Sequence, residues 1–153
     1  RIESLEKKTP TLIILDRYFI IKKNIKIFKK VNKKIYIMTN VKNLEKEKFL
    51  KKKGIKLVKY TNSNDENTTL VNIFMKIKKL RFNRIFIESG ATFISQLINK
   101  KLINNLYLFK SSKNLSAKGK NNCNLNRIKK IKMTKKNEVK VNLFGDNLYK
   151  VKL

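Results

Sequence analysis

The sequence contains no histidine, and this absence removes two classes of enzyme at once. Ser-His-Asp and Cys-His catalysis both use an imidazole as the general base. The single cysteine, Cys123, has no partner for an internal disulfide, so the cysteine pattern does not indicate export. One cysteine without histidine also argues strongly against a zinc site, which is built from nitrogen and sulfur ligands.

Long apolar runs are missing as well. Uninterrupted stretches such as Leu12–Leu15 and Tyr18–Ile21 are far shorter than the ~18–20 residues that span a bilayer. No signal peptide is visible either. We therefore expect a cytoplasmic protein without a membrane segment. Because the chain begins at Arg1 and not at Met, we also expect it to be a fragment, truncated at its N-terminus.

Acidic residues are scarce: 10 of them face 39 basic residues, which gives a formal charge of +29. Such a charge invites a nucleic-acid reading, but only five of the basic residues are arginine, which is the preferred residue for reading phosphate or guanine. The lysines are spread along the whole chain and occur with abundant asparagine and isoleucine, as A/T-rich codons produce. This pattern favours a solvated basic surface, and a basic nucleic-acid-binding module is the less favoured alternative.

What is present is an alternation of short apolar runs with helical patterns, in a length that suits one domain. The runs are continuous, as in strands buried on both faces of a parallel sheet. They are Leu12–Leu15, Ile35–Met38, Ile85–Ile87 and Leu106–Phe109, with Ile55–Val58 as a weaker fifth. Helices are predicted from Asn43 to Lys53, from Thr68 or Thr69 to Leu80, and from Ala91 to Leu102.

The C-terminal part has a different pattern. Ser111–Asn126 is polar and is predicted to be a loop. Val139–Leu143 alternates with polar neighbours, Gly145-Asp146-Asn147 follows, and Leu148–Val151 is again strand-like. A Gly-Asp-Asn turn between two such runs predicts an antiparallel hairpin. The fold class is therefore α/β, with a mostly parallel central sheet flanked by helices and a C-terminal antiparallel hairpin.

The segment Arg84–Gln96 is the most informative for chemistry. An apolar run ends in Glu88 and passes through Gly90 directly into a helix. The carboxyl ends of parallel strands are where α/β proteins bind ligands, and the first amides of a helix suit a pyrophosphate. The alternatives are a simple turn at Gly90 and a Glu88 carboxylate that pairs with one of the many lysines.

Arg-Ile-Phe-Ile-Glu-Ser-Gly-Ala-Thr-Phe, from Arg84 to Phe93, resembles the C-terminal reductase domain of the bifunctional riboflavin-biosynthesis deaminase–reductase. Pro10–Asp16, Ile35–Thr39 and Phe144–Tyr149 match the same family in the same order. The resemblance implies a fold like that of dihydrofolate reductase. It implies NADPH-dependent reduction of 5-amino-6-(5-phosphoribosylamino)uracil to 5-amino-6-(5-phosphoribitylamino)uracil.

The resemblance also implies roles for particular residues. Arg1 and Glu88 would contact the substrate, and Arg17 could meet the 2′-phosphate of NADPH. The other implied cofactor contacts are Thr39, Gly90, Ala91, Thr92, Phe93, Ile94, Ser95 and Gln96. No catalytic side chain and no metal ligand are assigned, since hydride transfer needs no protein nucleophile.

Several features of the whole protein follow from the resemblance only. In the bifunctional form, a zinc deaminase domain would precede Arg1. The alternative is a stand-alone pyrimidine reductase of the same fold. A homodimer is a further expectation for this family.

Overall fold

The computed structural model describes residues 9–29, 33–112, 131, 133–141 and 144–153. The chain divides into two compact units, Arg1–Ile85 and Phe86–Leu153. Within the described part, no helix is long and apolar enough to cross a membrane. The assignment of the whole chain to a single domain stays a prediction.

The first unit is built on a parallel sheet of three strands in the order β1-β2-β3. These strands are β1, Leu12–Leu15, β2, Ile35–Thr39, and β3, Lys56–Lys59. All five residues of β2 are buried, because a central strand has neighbours on both sides and side chains packed on both faces. The parallel sheet predicted from continuous apolar runs is confirmed here.

Helices α1, Leu44–Lys52, and α2, Glu66–Lys79, belong to this unit, together with a 3-10 helix at Lys26–Lys29. The two faces of β2 feed two separate apolar clusters. Ile37 packs in one with Leu50 of α1, and Met38 packs in the other with Ile73 of α2. The central strand therefore connects two cores, one beneath each helix.

The helix boundaries follow from their caps. The side chain of Asn43 accepts a hydrogen bond from the Lys46 amide at 3.0 Å, as predicted for the start of α1. α2 begins at Glu66, earlier than the predicted Thr68 or Thr69. The reason is Asp65, whose carboxylate accepts a hydrogen bond from the Thr68 amide at 3.0 Å and caps the helix one turn sooner.

The second unit contains α3, Ala91–Asn99, and an antiparallel sheet with the strand order β4-β6-β5. Its strands are β4, Asn105–Lys110, β5, Glu138–Val139, and β6, Asn147–Lys152, and a 3-10 helix covers Lys135–Asn137. β5 and β6 pair antiparallel as predicted, with Val139 opposite Leu148, but β5 ends at Val139, so the predicted run Val139–Leu143 is not a strand at Lys140 and Val141. Positions 142 and 143 and most of the Ser111–Asn126 segment lie outside the described residues.

Two strand predictions need correction. Leu106–Phe109 lies in β4, but this strand pairs antiparallel with β6, and Phe109 is exposed. Ile85–Ile87 is not a strand: it pairs with no strand of the described residues, and Phe86 is 73% exposed. An apolar run predicts burial, but a strand also requires a hydrogen-bonding neighbour, and here neither condition is met.

Candidate functional site

The carboxyl ends of β1, β2 and β3 surround a cleft with a volume of about 290 Å³. We call it the strand-end cleft. It is lined almost entirely by polar and aromatic residues from the three loops that leave the strands and from the first turn of α2. These residues are Arg17, Tyr18, Asn40, Val41, Tyr60, Asn62, Ser63, Asn64, Glu66 and Thr69.

A larger hollow of about 660 Å³ lies between α1 and β3. Its wall consists mainly of aliphatic side chains and lysines, such as Leu44, Ile55 and Lys48. It lies beside a helix and not at the strand ends where α/β proteins converge polar groups on a ligand. The smaller strand-end cleft is therefore the candidate site.

Arg17 reaches the cleft because the preceding residue fixes the loop after β1. The buried carboxylate of Asp16 accepts hydrogen bonds from the amides of Ile20 at 3.0 Å and Ile21 at 2.8 Å. The Asp16 amide donates to the Met38 carbonyl at 2.9 Å, which extends the pairing of β1 with β2. Arg17 is thus held on a loop that is bonded at both ends.

The guanidinium of Arg17 binds Glu66, the first residue of α2. Nη1 of Arg17 lies 2.8 Å from Oε1 of Glu66. The side chains are 30% and 52% exposed, so the pair stands at the mouth of the cleft in contact with solvent. Such a half-exposed pair is weak, and an incoming anion can compete for it.

Tyr60 places a buried hydroxyl beside this pair. The residue is 5% exposed, and its hydroxyl has no hydrogen-bond partner among the described residues. Burial raises the pKa of Tyr60 above its usual value of 10.0; the charge of Arg17 opposes this shift, and that of Asp16 adds to it. At neutral pH the group is therefore a protonated hydroxyl that can donate to a ligand.

Thr39, a predicted cofactor contact, is the last residue of β2 and is fully buried. Its hydroxyl oxygen accepts a hydrogen bond from the Val41 amide at 3.2 Å. It shapes the turn that carries Asn40 and Val41 into the wall of the cleft. A direct contact of Thr39 with a cofactor stays a prediction.

The remaining predicted residues lie in the second unit. Glu88 is exposed in the irregular segment before α3, and Gly90 is the N-cap of that helix, with no side-chain cap. A Cβ added at Gly90 would meet no atom within 4 Å, so there is open space beside the first turn. Ala91, Thr92, Phe93, Ile94, Ser95 and Gln96 form the first two turns of α3.

The structure thus assigns the predicted residues to two groups. Arg17 and Thr39 belong to the first unit, and Glu88 and the α3 residues belong to the second. The hydroxyl of Ser95 is buried without a hydrogen-bond partner in the described part of the chain. Arg1 lies outside the described residues.

Sequence reasoning missed Tyr60, Glu66 and the asparagines that line the cleft. A usable signal is present in the sequence, because Thr61–Asn67 is polar and follows the predicted strand Ile55–Val58. In a parallel sheet, a polar loop after one strand meets the loops after its neighbours at the same edge.

The donor set of the cleft fits part of a phosphorylated nucleotide. One arginine can bind a phosphate, whereas side-chain amides and hydroxyls such as Asn62, Ser63 and Tyr60 suit a ribose or a base. The Glu66 carboxylate accepts hydrogen bonds from hydroxyl groups. A whole dinucleotide is larger than this cleft, so further contacts from elsewhere in the chain would be needed.

A protein-family model matches the chain. No curated protein matches the chain. The profile of the family described as RibD C-terminal domain matches residues 2–147. This match covers nearly the whole sequence and bears out the resemblance carried by Arg84–Phe93. The chain therefore belongs to the RibD C-terminal domain family, which implies a dihydrofolate-reductase-like fold and a reductase role in riboflavin biosynthesis.

Proposed function

We propose that this protein is an NADPH-dependent reductase that converts 5-amino-6-(5-phosphoribosylamino)uracil into 5-amino-6-(5-phosphoribitylamino)uracil. The observation that carries the proposal is the polar strand-end cleft with Arg17 at its mouth, in a chain of this family. The cleft offers a cation for phosphate and neutral donors for the ribose. A reductase that uses a phosphorylated nucleotide cofactor needs this combination.

Each unit offers its own groups to a nucleotide ligand. The strand-end cleft, with Arg17 and Tyr60, would hold the nucleotide end that carries the 2′-phosphate. The first turn of α3 would offer its backbone amides to the pyrophosphate, and Thr92 and Ser95 would offer hydroxyls. The open space beside Gly90 supports a close approach to those amides.

Glu88 and Arg1 are the proposed substrate contacts. Glu88 stands two residues before the α3 N-cap, exposed and therefore accessible to a polar ligand. Its carboxylate would accept hydrogen bonds from the substrate. Arg1 has the chemistry for a phosphate or a uracil carbonyl.

The work of the protein in this reaction is orientation. When bound, NADPH supplies the hydride. In the first unit Arg17 would bind a phosphate, and in the second the α3 amides would bind a phosphate and Glu88 would orient the substrate. None of these tasks requires a nucleophile or an imidazole, which fits a chain without histidine.

The wider context belongs to the same proposal. The full-length protein would carry a zinc deaminase domain before Arg1, would act in the cytoplasm and would form a homodimer. The stand-alone pyrimidine reductase remains the alternative. Upstream sequence with a His-x-Glu and Pro-Cys-x-x-Cys signature would favour the bifunctional enzyme.

The direct test is NADPH oxidation by the full-length protein with the phosphoribosylaminouracil substrate. Glu88→Gln should lower kcat/KM by about ten- to a hundredfold, the effect of losing one charged hydrogen bond. Gly90→Val should weaken NADPH binding, because its side chain enters the open space beside the α3 amides. Glu138→Gln is the matched control, since it lies in the same unit and keeps an oxygen for the Asn147 amide.

The outcomes separate clearly. Substrate-dependent oxidation that Glu88→Gln reduces and Glu138→Gln does not supports the proposal. A wild-type protein that binds neither NADPH nor NADH, or that binds them without reducing this substrate, contradicts it. An unchanged kcat/KM in Glu88→Gln removes Glu88 from the substrate site.

A further inference from the structure

The ion pair between Arg17 and Glu66 combines two side chains with opposite preferences for a nucleotide. An arginine beside the ribose accommodates a 2′-phosphate, whereas an acidic residue there accepts a hydrogen bond from a free 2′-hydroxyl. In this protein the two groups are bonded to each other at 2.8 Å across the mouth of the strand-end cleft. A ligand that enters the cleft has to meet both of them.

We infer that Glu66 is a specificity-determining residue that opposes Arg17 and reduces the preference of the cleft for a 2′-phosphorylated nucleotide. This inference rests on the proposed function, because it assumes that the cleft holds the ribose end of the cofactor. Nothing in the sequence pattern around Glu66 indicated such a role. It follows from the pairing of two residues that are 49 positions apart.

The fold holds both partners in place without each other. Asp16 anchors the loop of Arg17 through two backbone amides. The start of α2 is fixed by the Asp65 cap and by the Thr69 hydroxyl, which accepts a hydrogen bond from the Ser63 amide at 2.9 Å. The removal of one partner should therefore leave the other in the cleft.

The electrostatics give the sign of the effect. A phosphate that binds Arg17 has to displace the Glu66 carboxylate or lie beside it, and both cost free energy because the two anions repel each other. A nucleotide with a free 2′-hydroxyl leaves the pair intact and can donate to Glu66. Neutral glutamine at this position removes the repulsion and releases Arg17 for the phosphate.

The test compares 2′,5′-ADP with 5′-AMP, which differ only in the 2′-phosphate, and NADPH with NADH, by calorimetric titration. Glu66→Gln should raise the affinity ratio in favour of the phosphorylated ligands about two- to fivefold, as expected for a half-exposed charge pair. Arg17→Gln should lower the ratio about tenfold or more, since the phosphate loses its charged partner. The double variant should behave like Arg17→Gln alone.

Glu45→Gln is the matched control. Glu45 also lies in the first turn of a helix and also pairs with a basic residue, Lys23, but it does not line the strand-end cleft. Its substitution should leave the ratio unchanged. Thermal melts of all variants detect unfolding, and Glu66→Asp and Arg17→Lys replace any variant that does not fold.

Each result has a definite meaning. A ratio that rises in Glu66→Gln and falls in Arg17→Gln supports the inference. A ratio that falls or stays constant in Glu66→Gln overturns the inference but not the proposal that the protein binds NADPH. A falling ratio would mean that Glu66 only positions Arg17. Absence of any nucleotide binding by the wild type overturns the proposed function, and this inference with it.

Discussion

The two compact units bury their apolar side chains to different extents. In Arg1–Ile85, β2 lies between two neighbouring strands and two apolar clusters, and Ile37 and Met38 are completely buried. In Phe86–Leu153, the sheet is antiparallel. Among the described residues of this unit, the buried apolar side chains are Leu97 of α3 and Leu106 of β4. Phe109 of β4 is 70% exposed.

The difference shows that a run of apolar residues does not by itself determine whether one or both faces of a strand are buried. A continuous run in the first unit marks a strand covered on both faces, whereas a similar run in β4 marks a strand with one exposed face. Glu66 and Arg17 accordingly stand on a framework that is rigid because it is packed. We therefore expect most of the free energy of unfolding to come from the packing of the first unit.

The largest expected effect tests this contrast directly. Ile37→Ala removes a fully buried side chain from the centre of β2 and should lower the free energy of unfolding by about 2–5 kcal/mol. Phe109→Ala, on the exposed face of β4, should change it by no more than about 0.5 kcal/mol. Urea titrations of the two variants give the comparison, and equal losses would show that β4 is as buried as β2.

An effect of intermediate size on stability should distinguish the two glycines that lie next to helices. Gly54 follows α1 with φ +71°, so Gly54→Ala forces a side chain into the left-handed region and should cost about 1 kcal/mol. Gly90 has φ −65° and open space around a new Cβ, so Gly90→Ala should change stability by less than about 0.5 kcal/mol. Thermal melts distinguish the two. A large loss in Gly90→Ala would contradict the open space beside α3.

The smallest effect concerns one buried hydroxyl in each unit, Tyr60 and Ser95. Because burial raises the pKa of Tyr60, the folded protein holds that proton more tightly than the unfolded chain does. Stability from this group is complete below pH 10 and is lost as the pH rises further. Tyr60→Phe should therefore show a shallower decline above pH 10 than the wild type, whereas Ser95→Ala should follow the wild type.

Urea titrations between pH 8 and pH 11 measure these slopes. The lysines also titrate in this range, but they are common to all three proteins, so they cancel in the comparison. Identical slopes for Tyr60→Phe and the wild type would mean that the Tyr60 hydroxyl has the same proton affinity in the folded and unfolded states.

Much of the first unit could be predicted from the sequence because its signals are local. Asn43 and Gly54 delimit α1 through a cap and a left-handed residue, and Leu70, Ile73 and Ile77 form the buried stripe of α2. The turn residues before β6 predicted its antiparallel pairing with β5, but they did not fix the extent of β5, which ends at Val139. The Ile85–Ile87 strand was wrong because pairing depends on which other segments lie alongside, and no local pattern contains that information.

The candidate site divides in the same way. Arg17 and Thr39 came from family resemblance, whereas Glu88 and Gly90–Gln96 came from the strand–helix pattern together with the resemblance. The contacts of all these residues with ligands stay predictions. Tyr60 and Glu66 emerged only from the structure, since the meeting of Glu66 with Arg17 depends on the crossover connections of the sheet. A site formed by residues that are far apart in the sequence can be recognised when the register of the strands is known.

The parallel register of the first sheet also has a kinetic consequence. Leu12 pairs with Ile35, and Tyr36 pairs with Lys56, so each ladder closes a long loop before its hydrogen bonds repay the lost chain entropy. The turn between β5 and β6 brings Val139 to Leu148 across a short connection, and hairpins of this kind form within about 1–10 μs. The parallel ladders of the first unit, like the β4–β6 pairing of Asn105 with Lys152, are therefore expected to form later than the β5–β6 hairpin, and their apolar strands are exposed to aggregation during that delay.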